Sequence, residues 1–185
     1  MKSRKCKVLL QNGVMEQTRY QVRFDWGTAG AHAVGADADV IVWVDAISEA
    51  GAQLEISSLP SGAAVIQTDL PSAQAAAQWV IDLQVTRAKR ILIAVVAAGS
   101  SRNGQLRVAT EDLLAAGAVI DHLAALGLDA TSPEAAAAEA AYRGLARATS
   151  HLLTAVTTAA TTAPESYQLK VDPALTAADV QVVRS

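Results

Sequence analysis

Hydrophobic and polar positions along the chain fall into short apolar runs separated by longer stretches with a helical period. Residues 39–44 (DVIVWV) and 91–98 (ILIAVVAA) are continuous apolar runs, as strands buried on both faces require. Residues 20–26 (YQVRFDW) alternate Tyr20, Val22, Phe24 and Trp26 against Gln21, Arg23 and Asp25, the pattern of a half-buried strand. Gly27 and Gly30 interrupt it, and a short helix is expected over 28–34. A third strand is expected at 63–67 (AAVIQ), after a loop with room for one helical turn. Pro71 suits a first helical turn, and Ala76, Trp79, Val80 and Leu83 then recur at helical spacing to about Thr86.

Beyond the 91–98 run the pattern turns polar at Gly99-Ser100-Ser101-Arg102-Asn103-Gly104, read as a loop. A helix follows from about Thr110 to Leu126, with Leu113, Gly117, Ile120 and Ala124 on one face and Gly127 as C-cap. Ser132-Pro133-Glu134 opens another helix with a cap, a first-turn proline and an acid. That helix is expected to run to about Thr154 or beyond, with Tyr142, Leu145, Leu152 and Val156 on its buried side. TTAATTAPES is a breaker, and 166–172 and 179–183 alternate weakly, as strands at a sheet edge do. Strands alternating with helices predict one α/β domain over residues 1–185 with a mainly parallel or mixed sheet, residues 1–18 forming a mobile arm.

Composition narrows the partners. The chain is 51% hydrophobic but only 4% aromatic, which suits close-packed helices on a sheet better than an aromatic binding surface. Its net charge of −3 supplies no positive field, and no aromatics are interleaved with basic residues, so nucleic acid is not an expected partner. The lone Cys6 has no intramolecular disulfide partner, and the charged opening MKSRKCK leads into VLL followed at once by Gln11 and Asn12. With no signal-like apolar region and no membrane span, a cytoplasmic protein away from the membrane is expected. The alanine-rich 133–160 segment packs on the domain's own sheet in the simplest account and would serve equally as a homo-oligomer seam.

The candidate chemistry gathers where strands end. Asp45 closes the 39–44 run, and a charge ending so apolar a strand needs a partner. Gly99, Ser100 and Arg102 follow the central strand, where backbone N–H groups and a guanidinium could cradle an anion. The same residues are also ordinary connector chemistry. Glu111 and Asp112 open the next helix, where acids complement the dipole without any further role. Ser100 or Ser101 as a nucleophile would need a base that the sequence does not place. His32, His122 and His151 show no zinc spacing, and Trp26, Trp43 and Trp79 read as core.

YQVRFDWG (20–27), DVIVWVDAIS (39–48), AVVAAG and RVATEDLLAAGAVIDHL, with LPSAQAAAQWV (70–80), SPEAAAAEAAYRGL (132–145) and SHLL (150–153), together resemble the 2-phosphosulfolactate phosphatase family. The resemblance implies a three-layer α/β/α fold and Mg²⁺-dependent hydrolysis of a small anionic phosphate ester. It implies Asp45, Glu111 and Asp112 as the catalytic acids, with Asp45 and Glu111 on the metal. Gly99, Ser100 and Arg102 would bind substrate. Mg²⁺ takes a few hard oxygens, keeps several waters and neutralises phosphoryl charge. The chain also departs from the family. Ser48 stands where many members carry arginine, and the phosphate loop expected between Ala50 and Ala63 is missing. Asp69-Leu70-Pro71-Ser72 replaces an arginine- and asparagine-bearing loop. Loss of a phosphate cradle removes much of the electrostatic stabilisation phosphoryl transfer needs. Two functions are therefore carried forward: a phosphatase, or a shortened member without catalysis that acts as a small-molecule binding or oligomeric interaction protein.

Overall fold

The two continuous apolar runs form the centre of the sheet, as β2 (Val40–Val44) and β4 (Ile93–Ala97), every residue of both being buried. The structure, a computed structural model, describes residues 15–48, 54–157 and 175–185. The N-terminal arm and the 166–172 strand expected from the sequence lie wholly or largely outside those residues. With β1 (Val22–Trp26), β3 (Ala64–Thr68) and β7 (Gln181–Arg184), the central strands make one sheet in the order β1-β4-β2-β3-β7. The first four strands are parallel, and β7 adds antiparallel to β3 at the edge.

Strand order explains the layers. The chain moves from β1 across to β2 through α1 (Gly27–Gly35), then returns from β3 to β4 through α2 (Ala73–Arg87). Right-handed crossovers running in opposite directions along a sheet place their helices on opposite faces. Accordingly Ala31 and Val34 of α1 pack with Ile41, Trp43, Val65 and Val96 on one face. On the other, Val42, Ile66 and Val95 pack with α2, α3 (Thr110–Ala125) and α4 (Pro133–Leu145). The result is a three-layer α/β/α sandwich around a mainly parallel sheet.

Several expectations change in the structure. Arg23, placed by alternation on the polar face of β1, is fully buried. Its guanidinium donates to both Asp37 oxygens, at 2.5 and 3.3 Å, and to the Val34 carbonyl at 3.1 Å, so pairing replaces solvent. The 99–104 loop is a β-hairpin, β5 (Ser100–Arg102) and β6 (Gln105–Arg107), turning on Asn103 and Gly104 with φ of 54° and 74°. Two successive positive φ values suit an Asn-Gly mirror-type turn. The long 133–154 helix is interrupted: α4 ends at Leu145, and α5 (Thr149–Ala155) resumes after a tight 3₁₀ turn. Residues 143–147, including Leu145, are exposed, so nothing buries a continued helix there, and Gly144 weakens it further. Residues 71 and 72 precede α2 in a turn in which Asp69 and Ser72 bond each other.

Candidate functional site

The carboxyl ends of β1, β4, β2 and β3 lie level, because Trp26 pairs with Ala97, Ala97 with Val44, and Val44 with Thr68. From this edge the chain leaves in opposite directions. Gly27 starts α1 on one face, while the segment after Ala98 leads to α3 on the other. Such divergence opens a crevice in open α/β sheets. A cleft of about 390 Å³ occupies it, lined by Gly27, Thr28, Trp43, Asp45, Ile47, Leu54, residues 98–101 and residues 104–106. Its size is that of a small-molecule site.

Asp112 organises the floor. It lies in the first turn of α3 and is 2% exposed. Its Oδ1 accepts the Ala46 N–H at 2.8 Å and its Oδ2 accepts the Gly99 N–H at 2.8 Å. One side chain thus ties the turn after β2 to the turn after β4. Burial, opposed by the Ala46 N–H and reinforced by the negative charges of Asp45 and Glu111, pushes its carboxyl up to about 7. Backbone bonds Asp45 N–H to the Thr68 carbonyl at 3.0 Å, extending the pairing of β2 with β3 by one residue. Its side chain accepts the Ser48 hydroxyl at 2.9 Å and stands in the cleft wall.

The residues singled out in the sequence separate into three groups. Asp45, Gly99 and Ser100 line the cleft together, with Asp112 directly behind the Gly99 turn. Glu111, one residue before Asp112, points elsewhere: buried, it faces the Arg107 guanidinium at 4.0 Å and lines a depression with Leu152 and Val156. Arg102 is exposed on the hairpin and does not line the cleft. The structure therefore places Asp45 and Glu111, expected as partners on one metal, in the walls of different depressions. Among the described residues no group of three His, Cys, Asp or Glu side chains is placed to hold a metal ion. His32 bonds the Ser58 carbonyl at 2.9 Å, and His151 is exposed.

Ser100 is unusual, because its Oγ is buried and without a hydrogen-bond partner. Leaving a hydroxyl so placed costs about 1–3 kcal/mol. Leu106 of β6 reaches back across the Gly99 turn: a Cβ on Gly99 would stand 2.6 Å from Leu106 Cδ1 and 2.9 Å from the Arg107 carbonyl. Gly99 also holds φ of +68°, so both space and backbone require glycine.

Trp43, Gln105 and Leu106 were missed as site residues. Trp43 lies two residues before Asp45 on a strand, hence on the same side, and the Asn-Gly pair would have announced the hairpin that brings in Gln105 and Leu106. No protein-family model matches this chain, and no curated protein matches it.

Proposed function

We propose that the protein binds a small molecule in the cleft at the carboxyl edge of its sheet, as a shortened relative of the 2-phosphosulfolactate phosphatases that does not hydrolyse phosphate esters. The observation that carries this reading is the charge of the cleft wall. Among the described residues that line it, Asp45 is charged and none is cationic. A phosphate dianion needs cations or a nest of N–H donors. Arg102 lies out on the hairpin, Arg107 faces Glu111, and the Gly99 N–H is already given to Asp112. At the end of β3, where the resembling family places cationic loop residues, Asp69, Ser72 and Thr68 bond one another.

A second reading, the Mg²⁺-dependent phosphatase, is favoured by the convergence of Asp45 with the Gly99-Ser100 turn and the amino end of α1. If Mg²⁺ binds, Asp45 is the cleft residue suited to hold it, with waters completing the shell. The test is phosphate release from 2-phosphosulfolactate and phospholactate by purified protein with Mg²⁺. The binding reading expects no release above a no-protein control. Release that EDTA abolishes and Asp45→Asn removes would establish the phosphatase instead.

A further inference from the structure

One wall of the cleft, Gly104 to Leu106, belongs to the β5–β6 hairpin rather than to the main sheet or its helices. Strand β5 pairs with β6 alone, Ser101 opposite Leu106 and Arg102 opposite Gln105. Among the described residues no hydrogen bond joins residues 100–106 to the body of the protein. The Ser100 Oγ, though buried, finds no partner there either. A two-stranded hairpin by itself is marginally stable in water, so its resting position depends on where its side chains touch the body.

Leu106 makes that contact with two glycines of the cleft wall. Its Cδ1 lies 3.5 Å from where a Gly27 Cβ would stand and 2.6 Å from where a Gly99 Cβ would stand. The leucine thus fills space left by two absent side chains, one at the start of α1 and one after β4, yet it remains 54% exposed. At the hairpin's base Arg107 faces Glu111 at 4.0 Å. Both ends suit a pivot. Gly99 has φ of +68°, and Asp112 holds its N–H at 2.8 Å, which fixes the chain up to the point where the hairpin begins. At the other end Val108 is 57% exposed, and the next residue, Ala109, is buried at the start of α3. Hinges are short connecting segments of this kind, which absorb the backbone change while the elements beside them stay intact.

From this arrangement we propose that the β5–β6 hairpin is a lid on the cleft. It turns about Gly99 and Val108 as an intact unit, and it closes by seating Leu106 against Gly27 and Gly99. What the lid admits is the small molecule of the binding reading above, on which its purpose rests; its motion is a property of the free chain. Lids of this kind open and close in microseconds to milliseconds.

Amide ¹⁵N relaxation dispersion on the unliganded full chain tests the motion. Residues 100–107 are expected to exchange at one common rate, shared by Gly27 and Thr28, which Leu106 leaves on opening. The open population should reach about 1% or more, and its shifts in β5 and β6 should stay strand-like. Leu106→Ala should raise that population about threefold, because it removes the half-buried isopropyl group. Flat profiles over 100–107 would overturn the lid. So would coil-like shifts in the minor state, which mean that the hairpin melts in place, or exchange that stops short of Gly27 and Thr28. An unchanged population in a folded Leu106→Ala protein would overturn it as well. The wild-type profiles decide the question even if the variant fails to fold. No ligand enters the measurement, so a failed lid leaves the binding reading standing, and Mg²⁺-dependent phosphate release would overturn that reading without touching the lid.

Discussion

Replacing Asp112 by asparagine gives a prediction whose sign runs against the usual behaviour of a hydrogen-bonded carboxylate. Two backbone N–H bonds ordinarily lower a carboxyl and stabilise the charged form. Here burial outweighs them, with Asp45 and Glu111 adding repulsion, and the folded value rises from 3.8 to about 7. The folded state consequently holds more protons than the unfolded one between those values. Stability contributed by this group is complete below about pH 4 and declines as pH rises to about 7, then levels off. A shift of about 3 units corresponds to roughly 4 kcal/mol when fully expressed.

Asparagine keeps the shape and cannot titrate. It gives up one acceptor, because its NH₂ must face either the Ala46 or the Gly99 N–H. A protonated aspartic acid keeps a lone pair on its hydroxyl oxygen and avoids that loss, so the variant should be the less stable of the two near pH 4.5. By pH 8 the wild-type protein should have lost about 3 kcal/mol relative to Asp112→Asn, closing or reversing that gap. Urea unfolding followed by circular dichroism, at a series of pH values in EDTA, measures the difference directly. Titrating groups other than Asp45 and Glu111, which feel the Asp112 charge, cancel between the two proteins. A wild-type protein that instead gains on the variant as pH rises would refute the argument, because the two N–H bonds would then have prevailed over desolvation.

Other positions give independent checks. Asp37→Ala leaves the Arg23 guanidinium buried without its carboxylate and should cost about 3 kcal/mol, whereas Arg23→Met should cost less; thermal unfolding of both tests that order. Gly117 is where α3 meets α4: a Cβ there would run into the Ala138 carbonyl and stand 2.7 Å from Tyr142 Cβ. Gly117→Ala should therefore lose about 1–3 kcal/mol in calorimetry, although alanine is the better helix former. At the hairpin tip Gly104 is open to solvent with φ of +74°. Gly104→Val should raise amide exchange across 100–107 while moving global stability by less than about 0.5 kcal/mol.

The layer architecture was legible because its signals are collective. Ile41, Val42 and Val44, with Ile93 to Val96, leave no polar face, and only a strand covered on both sides accommodates that. Ser132 caps α4 as its spacing suggested, its hydroxyl accepting the Ala135 N–H at 3.1 Å. Arg23 was misjudged because alternation assigns faces and ignores partners. Asp37 is fourteen residues away and reaches β1 only once α1 has folded back. The break after Leu145 escaped notice for a related reason. Apolar spacing continues through Leu152, but the helices that would have covered residues 143–147 do not extend that far.

The acidic pair shows why the site was harder to read than the fold. Side by side in sequence, Glu111 and Asp112 suggest one function performed together. On an α-helix, however, consecutive residues do not face the same way; neighbours on one face are three or four apart. Asp112 therefore turns toward Ala46 and Gly99 while Glu111 turns toward Arg107, its partner at the fourth position back. The strand follows the opposite rule. Trp43 and Asp45 are two apart, so they share a side, and both meet the cleft. The sequence neighbours that belong together chemically are thus the indole and the carboxylate of β2's end, whereas the two acids of α3 do different work: one braces the turns beneath the cleft, and the other pairs with the base of the hairpin above it.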